Sequence, residues 1–307
     1  MLRMDAQFPP EASVEAHSEE MLHNLLSLRE FFPPMDLSEG QYHSKDIPQK
    51  FRNPGNIIAG LSLFRDYMKI VRRDRALALR GEYSDYLWGR SGLELTRLYE
   101  TYGGRFHIQG LEHLRPWLNE PAKAPVVFIA NHMSTLETLT LCGYITPYMR
   151  TTFVVKSALV RGYFAPLICS RPYVALERKD PLADLSIVLN EGRAILQGKG
   201  NRSRSLIIFP QGTREVHLFT RSRLNSIGVR LAAEAGVELV PIALSTSFWS
   251  RSQHKAIQYI PLLHPEREVR FAFGAPLKVT GRRKEAQRQI LDFISEHMRS
   301  WNIPVQD

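Results

Sequence analysis

Cysteine is nearly absent: Cys142 and Cys169 are the two in 307 residues. Both lie in apolar surroundings and are too few for a disulfide framework, so they are expected to be buried thiols of a reducing compartment. Long apolar runs are missing too. Stretches such as Pro125 to Ala130 fall far short of the roughly 20 residues that a membrane span needs. The opening MLRMDAQFPPEASVEAHSEE is polar and acidic, without the basic-then-apolar layout of a secretion signal, so a cytoplasmic location is expected. The chain has no Gly-x-Ser-x-Gly after an apolar run, which removes serine hydrolases of the α/β type. Histidines are scattered, and His132 with His217 makes two ligands where a catalytic metal needs three, so no metal is expected. Gly198-Lys199-Gly200 lacks the third glycine of a dinucleotide loop and reads as a basic surface loop with Arg202 and Arg204.

Acid is the scarcer charge. Forty Lys and Arg against 31 Asp and Glu leave a formal +9, which favours an anionic partner such as a lipid surface or a phosphorylated or CoA-like substrate. Nucleic acid is not expected, because the chain shows neither a basic stripe interleaved with aromatics nor a known binding module.

Residues 1–100 read as a helical amino-terminal region. A helix is expected within Ser13 to Phe32. After the turn signal Asn53-Pro54-Gly55, the positions Ile57, Leu61, Phe64, Met68 and Val71 fall on one helical face. From Ile57 to Arg80 six cations accompany two anions, so this helix is a candidate for docking on an anionic bilayer, or for packing on the protein with its arginines in water. From about Tyr102 the texture changes. PVVFIA (from Pro125), TTFVVK (from Thr151), YVALE (from Tyr173), SLIIFP (from Ser205), ELVPIAL (from Glu238) and VRFAFG (from Val269) read as strands. Helices are expected at Asp184 to Leu196, Ile227 to Ala235 and Lys284 to Trp301. Near-continuous apolar strands alternating with helices predict an α/β domain over 101–307, with a mixed, largely parallel sheet covered by helices on both faces.

The chemistry clusters just after strands, where open α/β sheets place ligands. PVVFIA runs into Asn131-His132-Met133-Ser134-Thr135-Leu136-Glu137. Ser134-x-x-Glu137 has capping-box spacing, which predicts a helix starting at Ser134. His132-x4-Glu137 also matches a base with an acidic partner. Residues five apart on one helix point about 140° apart, so the two meet only if His132 precedes the helix and Glu137 sits in its first turn. The capping role and the orienting role then compete for one carboxylate. SLIIFP runs into Gln211-Gly212-Thr213-Arg214, a tight turn with a hydroxyl and a guanidinium suited to a phosphate, and Arg178 after YVALE adds a further cation.

Together these blocks resemble the PlsC-like glycerolipid acyltransferases, whose motifs appear in order as NHMSTLE, YVALER, FPQGTR and LVPIAL. IQGLEHL (from Ile108) and FGAPL (from Phe273) are similar as well, and the resemblance spans about residues 103 to 280. It implies transfer of a fatty acyl group from acyl-CoA or acyl carrier protein to a hydroxyl of a lysophospholipid of the 1-acylglycerol-3-phosphate type, at a membrane surface and with no further cofactor. Glycerol 3-phosphate or another lysolipid as acceptor, or a non-catalytic lipid- or CoA-binding relative, are the alternatives. By position, His132 would be the general base and Glu137 its orienter. Arg178, Gln211, Gly212, Thr213 and Arg214 would hold the acceptor phosphate, and Pro241 would line the acyl side. Three positions depart from the family pattern: Glu137 stands for Asp, Gln211 for Glu, and Pro172 for Gly.

Overall fold

The computed structural model describes residues 40–44, 48–51, 57–120, 123–198, 203–251 and 261–307. The helix expected within Ser13 to Phe32 and the Lys199 to Arg202 loop lie outside them. Chain order is β1 (Tyr42–His43), α1 (Ile57–Leu79), α2 (Asp85–Thr101), β2 (Phe106–Gln109), α3 (Arg115–Asn119), β3 (Val127–Ala130), α4 (Leu136–Ile145), β4 (Thr151–Lys156), α5 (Ala165–Cys169) and β5 (Val174–Leu176). It continues with α6 (Pro181–Leu196), β6 (Ser205–Ile208), β7 (Phe219–Thr220), α7 (Ile227–Ala235), β8 (Leu239–Ser245), β9 (Trp249–Arg251), β10 (Pro261–Leu263), β11 (Val269–Phe273), α8 (Arg283–Ser300) and β12 (Val305–Gln306).

Eight strands form one sheet in the order β1-β2-β11-β8-β3-β6-β4-β5. The run β8-β3-β6-β4-β5 is parallel throughout, while β11 lies antiparallel to β8, and β1 antiparallel to β2. Alternation on β3 shows how the sheet divides the core. Phe128 and Ala130 face a cluster with Leu63 and Tyr67 of α1, Leu93 of α2 and Leu141 of α4. Val127 and Ile129 face the other cluster, with Val188 of α6, Val229 of α7 and Ile290 of α8. Both faces are therefore covered, and the strands have no polar side to alternate with.

The helices of 57–101 share the first of these clusters. α2 and α4 meet so closely that a Cβ at Gly92 would lie 2.7 Å from the Gly143 nitrogen. On α1 the buried stripe is Ala59, Leu63, Tyr67, Val71 and Asp74, offset from the expected one. Ile57 and Leu61 stand 45% and 46% exposed, and Phe64 and Met68 are only partly buried, because the contact face is set by where α1 meets α2, α5 and the β9–β10 hairpin rather than by its most apolar arc. Cys142 is buried as expected, and burial pushes its thiol up to about 12. Cys169, at the end of the short α5, is only half-buried, which corrects the expectation of two buried thiols.

Pro241 sits in the middle of β8, a central strand, where proline removes a ladder donor. The pairing shows how this is tolerated. Ile242 is opposite Phe273 and the Gly274 N–H donates to the Pro241 carbonyl, yet the next bridge joins Leu239 to Leu277. One extra residue is accommodated between them, a bulge beginning where proline has no N–H to offer.

At the amino ends of β4, β5 and β6, Asp85 is shared by three arginines. Arg204 Nη2 lies 2.8 Å from its carboxylate, Arg150 Nε 3.5 Å and Arg171 Nε 3.7 Å. The Arg171 guanidinium also lies 3.7 Å over the Trp88 ring. Burial would raise the Asp85 pKa, but attraction to Arg204, Arg171 and Arg150 outweighs it, and the carboxyl is held below its ordinary value. Asp85→Ala is expected to destabilise the fold by about 3 to 5 kcal/mol, because it removes the negative charge that the buried guanidiniums share; urea titration at neutral pH measures this. The depressed carboxyl contributes stability that is present at neutral pH and lost as pH falls through its folded value. The melting temperature of the variant should accordingly vary less with acid than that of the parent.

Candidate active site

Strand β3 ends at Ala130, and Asn131 takes over its pairing with a side chain. Its Nδ2 donates to the Leu244 carbonyl and its Oδ1 accepts from the Leu244 N–H, both at 2.8 Å. The ladder with β8 is thus extended by a carboxamide while the backbone turns out of the sheet. That turn carries His132, and α4 begins four residues later.

Helix α4 starts at Leu136, not at Ser134, and its N-cap position, Thr135, makes no side-chain cap. Ser134 precedes it: its Oγ accepts from the Leu136 N–H at 3.1 Å and donates to Glu137 Oε2 at 2.9 Å. The later start leaves Glu137 in the first turn with its side chain folded back over the turn. The expected competition for its carboxylate does not occur, because its two oxygens serve both purposes together. Oε1 accepts from His132 Nδ1 at 2.8 Å, from the Met133 N–H at 2.7 Å and from the Ser134 N–H at 2.8 Å. Oε2 accepts from the Ser134 hydroxyl and, at 2.6 Å, from Thr246 Oγ1.

Glu137 is completely buried. Burial alone would raise its pKa, but the hydrogen bond and charge attraction of His132, with those of Thr246 and the Ser134 N–H, lower it below the ordinary value. The extra methylene relative to Asp is taken up by this folding-back. An ionised carboxylate only accepts, so a proton faces it on Nδ1, and in the neutral form of the imidazole the lone pair is on Nε2. Among the described residues Nε2 has no hydrogen-bond partner, and the side chain is 11% exposed.

The rest of His132 is also held. Its ring stacks on Phe209 with centroids 4.5 Å apart, and Phe209 in turn lies 6.0 Å from Phe153. Its N–H donates to Gln211 Oε1 at 2.6 Å, and its carbonyl accepts from the Glu215 N–H at 2.8 Å. Gln211 Nε2 donates to Glu215 Oε2 at 2.7 Å, and Glu215 further accepts from the Thr220 N–H, the Thr220 hydroxyl and Arg223.

The same turn brings in the cations. Gly212 has φ of 71°, a left-handed conformation that glycine adopts without strain. Arg178 also lies in the left-handed region, with φ of 58°, and its Nη1 donates to the Gly212 carbonyl. The segments after β5 and β6 are thereby joined, with Arg178, Thr213 and Arg214 exposed at the carboxyl edge of the sheet. Pro172, on the approach to β5, accepts from the Thr152 hydroxyl at 2.7 Å. Pro241 is not brought together with this group: it shares a face of β8 with Leu239 and Ala243, which belong to the core beneath α8.

Of the sequence-marked residues, the structure gathers His132, Glu137, Arg178, Gln211, Gly212, Thr213 and Arg214. Sequence reasoning missed Thr246, Glu215, and the pairing role of Asn131. Asn131 lies within NHMSTLE, whereas Thr246 is 109 residues from Glu137 and carries no local signal. Chemically the arrangement is an imidazole base, oriented by an ionised carboxylate, beside a helix start and a cationic turn that suit an anion. Among the described residues no cluster of potential metal ligands occurs.

The sequence pattern of the Acyltransferase family matches residues 105–245, which contain every residue of the gathered site. Among solved structures, the 1-acyl-sn-glycerophosphate (LPA) acyltransferase PlsC of Thermotoga maritima superposes with a TM-score of 0.56 at 14% identity, covering 80% of this chain and 97% of that one. The likeness to it is one of fold. Among curated proteins no sequence relative matches.

Thr246→Val removes one donor from a buried carboxylate while keeping the side chain's shape. It is expected to cost about 1.5 to 3 kcal/mol, the range for hydrogen bonds to charged groups. With one lowering influence gone, the Glu137 pKa moves up toward its ordinary value, so stability should begin to fail at a higher pH as acid is added. Urea titrations and thermal melts across the acid range measure both.

Proposed function

We propose that the chain, whose residues 105–245 match the Acyltransferase family, is a PlsC-like enzyme that transfers a fatty acyl group from an acyl thioester, acyl-CoA or acyl carrier protein, to the free hydroxyl of a lysophospholipid of the 1-acylglycerol-3-phosphate type. The observation that carries this reading is the His132–Glu137 pair, with Nδ1 committed to a buried carboxylate and Nε2 left as the base. Nε2 takes the proton of the acceptor hydroxyl as its oxygen attacks the thioester carbonyl. The C–S bond of the tetrahedral adduct then breaks, and the departing thiolate recovers that proton from the imidazolium. Glu137 stays ionised throughout and stabilises the imidazolium between the two transfers. A thioester is already activated, so a positioned base supplying about 10² to 10⁴-fold, with orientation, is sufficient and no acyl-enzyme is needed.

The acceptor phosphate is assigned to the turn of Gly212, Thr213 and Arg214 with Arg178. Arg178 is braced on the Gly212 carbonyl, so the guanidinium moves with the loop that holds His132 through Gln211. Gln211 serves this arrangement by shaping the loop and adds no negative charge beside the phosphate.

The acceptor is a lipid, and among the described residues no helix is long and apolar enough to cross a membrane. Docking from one side is therefore the reading we adopt, onto an anionic surface. Its support is the outer side of α1, where Ile57, Ile58, Leu61 and Leu79 are exposed beside the exposed Arg65 and Lys69. Leu159 and Tyr163, which follow β4 at the site's end of the sheet, are exposed as well, and Arg75 of α1 lies over the Tyr163 ring.

His132→Ala should abolish acyl transfer in a thioester-release assay run over a panel of glycerol-phosphate and lysolipid acceptors, while the protein stays folded. Glu137→Gln keeps the turn's shape and loses the charge, so kcat should fall on the order of 100-fold in protein that still folds, with a lowered melting temperature. A parent protein that consumes no thioester with any acceptor would leave only lipid or CoA binding. Vesicle co-sedimentation addresses docking: binding should need anionic lipid and weaken as salt rises, since exposed charges are screened within about 10 Å at 0.1 M. Binding indifferent to both would remove the docking model.

A further inference from the structure

We infer that Glu215 is a positioning residue for His132, acting by fixing which end of the Gln211 carboxamide faces the histidine. The inference rests on the acyl-transfer reading above. A carboxamide is almost symmetric in shape, and only its partners decide which end is oxygen. The His132 N–H requires an acceptor, and Gln211 Oε1 meets it at 2.6 Å. At the other end Nε2 meets Glu215 Oε2 at 2.7 Å. A flipped amide would set a donor against the His132 N–H and an acceptor against a carboxylate. Glu215 has no freedom to adapt to such a flip. Its side chain is 8% exposed, and it already accepts from the Thr220 N–H at 3.0 Å, the Thr220 hydroxyl at 3.0 Å and Arg223 Nη1 at 2.8 Å. Its own N–H holds the His132 carbonyl. Both backbone groups of His132 therefore end on the 211–215 turn, and Glu215 governs each of them.

The two positions share one negative charge. That charge can sit at 215 with an amide at 211, or the reverse, but not at both. Gln211→Glu would put two carboxylates at hydrogen-bond distance, where they cannot both ionise and the pKa of one is strongly raised. While the pair keeps a proton, its O–H replaces the amide N–H and the pattern survives. As pH rises through the raised value the proton leaves, the two anions repel, and the His132 N–H loses its partner. A group with a raised folded pKa contributes stability below that value and loses it above.

The test is a four-way comparison of the parent, Gln211→Glu, Glu215→Gln and the exchanged double variant, with kcat, KM and thermal melts measured across pH using 1-acylglycerol-3-phosphate and acyl-CoA. Gln211→Glu should match the parent best in mild acid and fall in kcat by on the order of tenfold or more as pH rises, with KM for the acceptor nearly constant. The exchanged variant should recover most of that loss and the parent's pH profile, because the charge has moved without being doubled. A double variant no better than Gln211→Glu, a Gln211→Glu variant with the parent's pH profile, or an effect confined to KM would overturn the inference. If the parent transfers no acyl group, the acyl-transfer reading fails, and the melts still decide. Gln211→Glu should lose melting temperature with rising pH and the exchange should restore it, whereas parallel curves would overturn the assignment. Should the single variant not fold at all, a folded double variant supports the pairing and an unfolded one refutes it.

Discussion

A fully buried carboxylate at the start of α4 is the constraint on which the site depends. Glu137 brings a negative charge into the interior, which is costly unless donors surround it. Five donor groups do so, and they come from three sources: the turn itself, the imidazole, and the far end of β8. The charge thus compels the turn to curl around it, sets the tautomer of His132, and ties the β3 end to the β8 end. The helix start supplies a favourable dipole for the same charge. Structure and chemistry are one arrangement here: any backbone that satisfies the carboxylate also delivers the imidazole.

The sheet sets the distances over which this works. β8, β3, β6, β4 and β5 run parallel, so Thr246, His132, the Gln211 turn and Arg178 all emerge at the same edge. Charge is apportioned between the two ends of these strands. Asp85 gathers three arginines at the amino edge, while the cations expected to meet a phosphate stand at the carboxyl edge. A row of rings, His132 on Phe209, Phe209 on Phe153 and Phe153 near Trp88, lies between the two ends.

Much of this was legible in the sequence, and the reason is locality. His132 and Glu137 are five residues apart, and the demand that one precede the helix followed from helical geometry alone. The α/β alternation and the strands from Thr151 and Ser205 were clear because a doubly covered sheet makes its strands apolar throughout. Legibility failed where a distant partner decides. Thr246 looks like any residue after a strand until the fold brings it to Glu137. The buried stripe of α1 is chosen by the neighbours it meets, α2, α5 and the β9–β10 hairpin, so Ile57 and Leu61, apolar and in phase, ended outside. Pro241 reads as a motif residue, yet its visible work is to admit a bulge between β8 and β11. The capping box misled by assuming that one carboxylate has one task; two oxygens with bifurcated bonds have room for both.

The grip on His132 has an entropic side. Its N–H, its carbonyl, Nδ1 and one ring face are each occupied by a different partner, so the ring has one orientation before any acceptor arrives. Freezing a side chain in a folded protein costs on the order of 1 kcal/mol in lost rotamers. Here that loss is incurred once, when the chain folds, and does not recur at each turnover. An imidazole mounted this way is already aimed before any ligand reaches it.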